Sequence, residues 1–280
     1  MIVSGKEIAA KLYEEYKQQV EQLKVQPKLV VVLVGDNPAS EAYIRMKEKA
    51  CAKVGINSPL MRFDDSISQK ELLEAIKQLN QDHTVHGILV QLPLPKQINP
   101  ERIMEAIDPK KDVDGFHPIN IGKLLLGDQS ALIPCTPLGV QILMQKADIT
   151  VSGKHVVIVG RSNIVGKPLA ALLMQKNDQA NATVSVVHSR SENLATITKS
   201  ADILIAALGS ARFITSDMVA DGAVVIDVGI SRIDGKLVGD VDFDNVAPKC
   251  SVITTVPGGV GPMTVAMLIN NTLTCYKLQC

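Results

Sequence analysis

The chain has 280 residues, of which 46% are hydrophobic and 21% charged, and its 29 basic and 29 acidic side chains leave a formal net charge of zero. This composition is typical of a globular protein with about two domains, and the charge balance argues against electrostatic capture of nucleic acid or of an anionic membrane. Aromatic residues make up only 3% of the chain, too few for a base-stacking surface.

No stretch of the sequence approaches the ~20 apolar residues of a membrane-spanning helix, and Glu7 stands where a signal peptide would have its apolar run. The five cysteines are odd in number and form no C-x-x-C pair, which favours reduced thiols used as small apolar residues and gives no zinc spacing. We therefore expect a cytoplasmic protein that has no metal site and binds neither nucleic acid nor membrane.

Short β-branched runs alternate with amphipathic stretches of helical length along the whole chain. In the first half we predict helices over residues 6–24, 41–54 and 69–80, and strands that begin at Leu29 and His86. In the second half we predict a helix over residues 165–175 and strands that begin at His155, Ala182, Asp202, Gly222 and Ser251. This alternation predicts an α/β fold with parallel sheets covered by helices on both faces.

Tyr43 and Lys47 lie four residues apart in a predicted helix, so their side chains share one face and can meet. Such a pair can perform acid/base chemistry if the pKa of the phenol or of the ammonium is lowered. The alternative is two amphipathic side chains at the edge of a core, and spacing alone does not decide. Short-chain dehydrogenases carry the same pair after their cofactor loop, whereas here it precedes that loop, so the order argues against that family.

Further polar residues follow the predicted strands of the first half. Gln91 closes the strand from His86, and Asp112 and Asp114 follow a predicted helix. Both places are where a parallel sheet presents its ligand crevice. Turn and capping chemistry is the alternative, and it suits Asp112 better than Asp114.

A polar, glycine-containing break at residues 146–154 separates the two halves, after a helix predicted over residues 136–146. The strand from His155 then runs into Gly160-Arg161-Ser162-Asn163-Ile164-Val165-Gly166, which opens the next helix. This arrangement is typical of dinucleotide binding, because backbone N–H groups and the positive helix end approach a pyrophosphate. Ser162 replaces the second glycine of the fingerprint, so an ordinary tight turn stays open on spacing alone.

The second strand of this unit ends in His188-Ser189-Arg190 instead of the acidic residue that binds the ribose hydroxyl of NAD. With Arg161 in the first turn, cations and a hydroxyl are available for a 2′-phosphate, which favours NADP. Arg190 is equally well explained as a solvated surface charge. Near the C-terminus, residues 256–264 contain three glycines and two prolines, which indicates a rigid backbone wall for close ligand approach.

Six segments in this order resemble the bacterial methylenetetrahydrofolate dehydrogenase/methenyltetrahydrofolate cyclohydrolase family. They are YIRMK at 43–47, VQLPLP at 90–95, KDVDGFHP at 111–118, PCTPLG at 134–139, GRSNIVGKP at 160–168 and VPGGVGPMT at 256–264. The resemblance covers essentially the whole chain, and the ordered combination is specific although no single segment is. Two details depart from it: Ser231-Arg232 follows Ile230, and Leu208 stands where a smaller residue is expected near the cofactor.

The resemblance implies a homodimer that oxidises methylenetetrahydrofolate with NADP and hydrolyses the methenyl product to formyltetrahydrofolate in one shared cleft. It implies that Lys47 is the central catalytic group of the hydrolysis, that Gln91 holds and tunes it, that Tyr43 stacks on the folate and that Asp114 binds the pterin. Leu92, Pro257, Gly258 and Gly261 would line the folate. NADP would be held by Gly160, Arg161, Ser162, Ile164, His188, Ser189, Ile230 and Thr264, with Arg161 and Ser189 facing the 2′-phosphate.

The implied fold has two domains with the cleft between them. Residues 1–138 plus 264–280 would form an α/β folate-binding catalytic domain, and residues 139–263 a doubly wound, Rossmann-type NADP domain. Two alternatives remain at this point. One is another two-domain NADP dehydrogenase such as a shikimate dehydrogenase, whose cofactor loop is richer in glycine; the other is a catalytically silent NADP sensor, which would be expected to lack Lys47 or Gln91.

Overall fold

A computed structural model describes residues 1–38 and 40–280 in full and places residue 39 within a helix. The chain forms two compact units, one built from residues 1–10, 124–128 and 136–264, the other from residues 11–123, 129–135 and 265–280. Within the described residues, no helix combines the length and the apolar character needed to cross a membrane.

A three-stranded parallel sheet in the order β3-β2-β4 organises the first half of the chain. Its strands are β2 (Leu29–Val34), β3 (Leu60–Phe63) and β4 (Gly87–Val90), and β2 is a fully buried run of Val and Leu, as expected for the central strand of a covered parallel sheet. The helices of this half are α1 (Gly5–Glu21), α2 (Pro38–Val54), α3 (Gln69–Gln81), α4 (Pro100–Ala106) and α5 (Pro118–Leu126).

Helix α3 shows how local sequence sets these elements. It begins at a capping box, in which the Ser68 hydroxyl accepts from the Glu71 N–H and the Glu71 carboxylate accepts from the Ser68 N–H. Leu72, Ile76 and Leu79 recur at helical spacing and are buried. They pack on β2 and β4 in one hydrophobic cluster that anchors the sheet.

A six-stranded parallel sheet in the order β1-β11-β8-β7-β5-β6 organises the unit of residues 1–10, 124–128 and 136–264. Its strands are β1 (Ile2–Val3), β5 (His155–Val159), β6 (Thr183–Val187), β7 (Ile203–Ala206), β8 (Val224–Asp227) and β11 (Val252–Thr254). An antiparallel hairpin of β9 (Ser231–Ile233) and β10 (Lys236–Val238) projects after β8. The remaining helices are α6 (Cys135–Lys146), α7 (Gly166–Leu173), α8 (Leu194–Lys199), α9 (Phe243–Val246) and α10 (Val260–Gln279).

The predicted α/β architecture with a doubly wound parallel sheet is confirmed. The chain passes from β5 outward to β6 and then returns to β7 on the other side of β5, so the winding reverses between β5 and β7. Ligands of open α/β sheets bind at such a reversal, beyond the carboxyl ends of the strands. All seven predicted strands are present; β1, β3 and the β9–β10 hairpin were not predicted, because they are short and, apart from Val3, not fully buried.

Candidate active site

The carboxyl edge of the three-stranded sheet brings Lys47 and Gln91 together. Lys47 lies on α2, the helix that follows β2, and Gln91 directly follows β4, where its N–H donates to Val32 O at 2.9 Å. The Lys47 Nζ donates to Gln91 Oε1 at 3.0 Å, and the Gln91 Nε2 donates to Leu92 O at 2.8 Å. Because the amide nitrogen is already engaged, the amide oxygen faces the lysine, and Lys47 is held at one place.

Asp114 lies beside this pair, because the segment before it extends the same sheet edge. The Ile88 N–H donates to Lys111 O at 2.8 Å, and Asp112 forms a parallel bridge with Ile88 of β4. Burial raises the pKa of Asp114 to about 6, the ammonium of Lys47 opposes the rise and the carboxylate of Asp112 adds to it. No described residue donates a hydrogen bond to the Asp114 carboxylate, which leaves its oxygens for a ligand.

Tyr43 and Leu92, also predicted as site residues, lie on the segments that carry Lys47 and Gln91. Tyr43 is one turn before Lys47 on α2 and its ring is exposed. The carbonyl oxygen of Leu92 accepts from Gln91 Nε2 and, at 3.5 Å, from the Ser40 hydroxyl. An exposed ring one helical turn before a half-buried amine, with a carboxylate near that amine that receives no hydrogen bond from a described residue, is suited to an aromatic ligand that carries N–H donors.

The cofactor loop follows β5 and is built on two close backbone contacts. Gly160 has a φ of +132°, and a Cβ there would collide with the carbonyl oxygen of Ala207. A Cβ on Gly166 would collide with the carbonyl oxygen of Gly160. Only glycine fits at both positions, so this turn is built for tight strand-to-helix packing, as in dinucleotide-binding loops.

Residues 160–164 and 188–189 lie at adjacent strand ends. Strands β5 and β6 pair in register, and the Gly160 N–H donates to Val187 O at 2.8 Å. Arg161, Ile164 and Ser189 are exposed there. The ring of His188 is half-buried, and its Nδ1 accepts from the Arg190 N–H at 3.1 Å. The sequence therefore places a guanidinium and hydroxyls, without a carboxylate, at the end of β6.

The remaining predicted residues follow β8 and β11 at the same edge of the six-stranded sheet. A Cβ on Gly261 would lie 3.7 Å from Cδ1 of Ile230, so these two segments adjoin. Gly258 has a φ of +102°, and its carbonyl oxygen accepts from the Lys6 N–H at 3.0 Å. Pro257 precedes it, and the hydroxyl of Thr264 lies 3.0 Å from that of Thr136. Pro257, Gly258 and Gly261 thus belong to the unit that carries the cofactor loop.

This edge fits a phosphorylated dinucleotide by the chemistry of its groups. Glycines 160 and 166 keep the backbone clear of side chains, the N-terminus of α7 supplies its positive end, and Arg161 offers a guanidinium to a phosphate. Among the described residues, no group of three or more His, Cys, Asp or Glu could hold a metal ion. All five cysteines are free thiols.

Two buried carboxylates beside this edge were missed by sequence reasoning. Asp240 is fully buried and accepts from the N–H groups of Leu208, Gly209 and Ser210 at 2.6, 3.0 and 2.8 Å. Asp227 accepts from the N–H groups of Asp240 and Val241, and burial raises its pKa to about 6. The available signal was an aspartate inside the apolar run VVIDVG. The unexpected Leu208 donates its N–H to Asp240, and its side chain packs against the hydrophobic cluster of this unit.

Comparison with known proteins agrees with both halves of this description. The family model described as "Tetrahydrofolate dehydrogenase/cyclohydrolase, catalytic domain" matches residues 3–114, and "Tetrahydrofolate dehydrogenase/cyclohydrolase, NAD(P)-binding domain" matches residues 134–280. The Bifunctional protein FolD of Halalkalibacterium halodurans is 53% identical over 280 residues, which cover 99% of each chain.

Solved structures give the same result. The bifunctional FolD methylenetetrahydrofolate dehydrogenase/cyclohydrolase of Campylobacter jejuni has a TM-score of 0.97 at 50% identity, covering 100% of this chain and 99% of that one. A FolD enzyme of Trypanosoma brucei, complexed with NADP cofactor and an inhibitor, has a TM-score of 0.92 at 35% identity, covering 99% of this chain and 97% of that one. Since these likenesses extend over both halves of the sequence, the chain belongs to the tetrahydrofolate dehydrogenase/cyclohydrolase family.

Proposed function

We propose that Lys47, Gln91 and Asp114 carry the hydrolytic half of this enzyme's activity, and that the edge around Gly160 carries the cofactor. The protein is a bifunctional enzyme of one-carbon folate metabolism: it oxidises methylenetetrahydrofolate with NADP and hydrolyses methenyltetrahydrofolate to formyltetrahydrofolate. The observation that carries the assignment of residues is the 3.0 Å bond from Lys47 Nζ to Gln91 Oε1 beside a carboxylate to which no described residue donates a hydrogen bond.

For the oxidation, the protein has only to align the hydride-donating carbon of the folate with the acceptor. Loss of a hydride from the N–CH₂–N carbon leaves a cation delocalised over two nitrogens, so no side chain needs to remove a proton. NADP, when bound, supplies the acceptor for that hydride. The residues that would hold it are Gly160, Arg161, Ser162, Ile164, His188, Ser189, Ile230 and Thr264, with Pro257, Gly258 and Gly261 as a wall for the folate.

Hydrolysis needs a positioned acid/base group. Water adds to the methenyl carbon, one carbon–nitrogen bond breaks, and one proton is released per formyltetrahydrofolate formed. We assign the movement of that proton to Lys47, which Gln91 holds in place. Asp114 accepts hydrogen bonds from N–H groups of the pterin, and Tyr43 and Leu92 line its ring.

The preference for NADP is proposed to depend on Arg161 and Ser189 at the 2′-phosphate. Both are exposed at the ends of adjacent strands, and no acidic residue stands where NAD-binding units place one. Functionally we divide the chain into a folate part, residues 1–138 with 264–280, and an NADP part, residues 139–263. The catalytic-domain match ends at residue 114 and the NAD(P)-binding match begins at residue 134, near the proposed boundary at 138. Residues 265–280 pack with the folate part, although the NAD(P)-binding match extends to residue 280, and residues 1–10 and 124–128 pack with the six-stranded unit.

We also propose that the enzyme acts in the cytoplasm as a homodimer. Free cysteines, three of them fully buried, suit a reducing compartment. Strand β6 is an edge of the six-stranded sheet and Val186 on it is 38% exposed. An unpaired, partly apolar edge strand is a template for pairing with a second chain.

The test is a pair of spectrophotometric assays on the parent enzyme and on Lys47→Met. One assay follows NADPH formed from methylenetetrahydrofolate and NADP, and the other follows loss of methenyltetrahydrofolate. We expect both activities in the parent and no measurable cyclohydrolase in Lys47→Met. Lys49→Met, on the same helix at an exposed position, is the matched control and should behave as the parent.

A Lys47→Met enzyme that hydrolyses methenyltetrahydrofolate at the parent rate would remove Lys47 from the mechanism. NADP affinity of the same variant, measured by fluorescence titration, is the control for misfolding. Unchanged affinity shows that the unit assigned to NADP is folded, and a parent-like urea unfolding curve shows the same for the unit that carries Lys47.

A further inference from the structure

Two aspartates, Asp112 and Asp114, stand on one short loop, and their surroundings differ sharply. Asp114 is half-buried and its carboxylate receives no hydrogen bond from a described residue. Asp112 is 1% exposed, and both of its oxygens are occupied by donors. The two residues therefore cannot have the same task.

The donors to Asp112 come from the chain that follows Asp114. Oδ1 accepts from the N–H groups of Gly115 and Phe116 at 3.1 and 3.3 Å. Oδ2 accepts from the N–H of His117 at 2.8 Å and from Asn120 Nδ2 at 2.9 Å. The carboxylate thus closes the loop on itself around Asp114, and charge-assisted bonds of this kind are stronger than neutral ones.

The loop is also anchored on the residue between the two aspartates. The carbonyl oxygen of Val113 accepts from Asn271 Nδ2 at 2.9 Å and from the Cys135 thiol at 3.2 Å. Gly115 has a φ of +74°, and a Cβ there would lie 2.6 Å from the backbone of Ile133 and Pro134. With the backbone fixed on both sides of Asp114, its carboxylate can occupy only a narrow range of positions.

We infer that Asp112 is a positioning residue for the hydrolysis: by binding the backbone at residues 115–117 and the side chain of Asn120, it holds the Asp114 carboxylate beside Lys47. The inference rests on the role proposed above for Asp114. Asp112 does not contact the substrate itself, since both of its carboxylate oxygens are buried and already accept hydrogen bonds.

Asp112 also acts on Asp114 through its charge. The titratable groups that face Asp114 are Lys47 from α2, Asp112 from the loop and the Cys135 thiol at the start of α6. Burial raises the pKa of Cys135 well above its ordinary value, so this thiol stays neutral. Lys47 favours the ionised form of Asp114 and Asp112 disfavours it, so removing the charge of Asp112 lowers the pKa of Asp114.

Asp112 in turn faces three titratable groups besides Asp114. They are the imidazole of His117 in the loop, the thiol of Cys275 on α10 and the thiol of Cys135. Burial raises the pKa of each thiol well above its ordinary value, so both thiols remain neutral. The charge change at Asp112 therefore reaches Asp114 without a competing thiolate.

The experiment compares cyclohydrolase kcat/KM as a function of pH for the parent, Asp112→Asn and Asp108→Asn. Asp108 precedes the same loop, and its Oδ1 accepts from the Lys110 N–H and from no other described residue, which makes it a matched control. We expect Asp112→Asn to lose roughly 10- to 100-fold in kcat/KM near neutral pH, because misplacing a binding group costs about that much. The acid limb of its profile should move below that of the parent by about half a pH unit to one unit.

Parent-like rates and an unmoved acid limb in Asp112→Asn would overturn the inference. Asp114→Asn, measured in parallel, distinguishes failure of the inference about Asp112 from failure of the proposed function. If Asp114→Asn keeps full cyclohydrolase activity, the proposed role of Asp114 is wrong. Urea unfolding of each variant reports on folding of the unit that holds Asp112 and Asp114.

If Asp112→Asn does not fold, Asn120→Ala provides the test of the inference. This variant removes one of the four donors to Asp112 and keeps its charge, while Pro109 O loses its donor as well. We expect a roughly 3- to 10-fold lower cyclohydrolase kcat/KM with unchanged NADP affinity, since one of several hydrogen bonds is lost. A parent-like kcat/KM in Asn120→Ala would count against the inference.

Discussion

Ser162 replaces a glycine of the dinucleotide-binding fingerprint and has a structural role of its own in the cofactor loop. Its hydroxyl accepts from the N–H groups of Val165 and Gly166 at 3.1 and 3.4 Å. Val165, the residue at the N-cap of α7, provides no side-chain cap of its own. Ser162 therefore satisfies N–H groups that the start of a helix leaves without partners, which is a structural reason for the departure from the fingerprint.

Arg161→Ala should weaken NADP selectively. The guanidinium is exposed at the end of β5 and would pair with the 2′-phosphate, which NAD lacks. We expect KM for NADP to rise by about tenfold or more, in line with a lost charge-assisted bond, and KM for NAD to change little. Steady-state kinetics with both cofactors measure this, and equal effects on the two would exclude the 2′-phosphate role.

Asp114→Asn should stabilise the protein while it removes cyclohydrolase activity. Burial raises the pKa of Asp114 to about 6, above its ordinary value of 3.8, so the folded state binds this proton more tightly than the unfolded state does. The contribution of Asp114 to stability is therefore lost as pH rises from about 4 to about 6. At pH 7 the variant should gain roughly 1 to 3 kcal/mol.

Urea unfolding of the parent and Asp114→Asn at several pH values provides the measurement. The difference between them should shrink towards zero near pH 4, where Asp114 is protonated in the folded parent. A difference that does not depend on pH would show that the carboxylate carries no cost of desolvation.

Helix α3 is an element whose two ends are held by different parts of the chain. Its N-terminus carries the capping box, which is local. Its C-terminus is held by Lys111, which is 3% exposed and whose Nζ donates to Leu79 O, Asn80 O and Asp82 O at 3.0, 2.8 and 2.8 Å. An ammonium at the negative end of a helix is favourable, and it also ties α3 to the loop of Asp112.

Lys111→Met should lower the free energy of unfolding by about 2–4 kcal/mol, because three carbonyl groups lose their donor in a buried place. Lys110→Met is the matched control, since that side chain is exposed, and it should change stability by less than about 0.5 kcal/mol. Denaturant unfolding of both variants tests this, and equal effects would show that the carbonyl contacts of Lys111 do not matter.

At the scale of the whole molecule, the proposed homodimer is the feature to test. Light scattering should give about twice the chain mass of 30.1 kDa. Val186→Lys places a charge on the exposed edge strand β6 and should shift the protein towards the monomer. Leu237→Lys, on the projecting hairpin and equally exposed at 38%, is the control. A parent that is monomeric at micromolar concentration would contradict the proposal.

Much of this protein follows from local sequence. The β-branched runs at Leu29, His155 and Asp202 are typical of covered parallel strands. The turn from Gly160 to Gly166 needs glycine at both close contacts. The pairing of Tyr43 with Lys47 on one helix face follows from the helical repeat. For these features the deciding interactions lie within a few residues of each other, so a pattern along the chain is enough.

The local spacing of residues does not determine which polar groups meet; the tertiary structure does. Lys47 and Gln91 are 44 residues apart, and only the adjacency of β2 and β4 brings them together. The sequence favours a turn role for Asp112 over one for Asp114, but only the fold shows that Asp112 accepts four hydrogen bonds and that no described residue donates to the Asp114 carboxylate. The local sequence does not predict the roles of Asp227 and Asp240 for the same reason. Their burial and their hydrogen-bond partners depend on segments that are far apart in the chain.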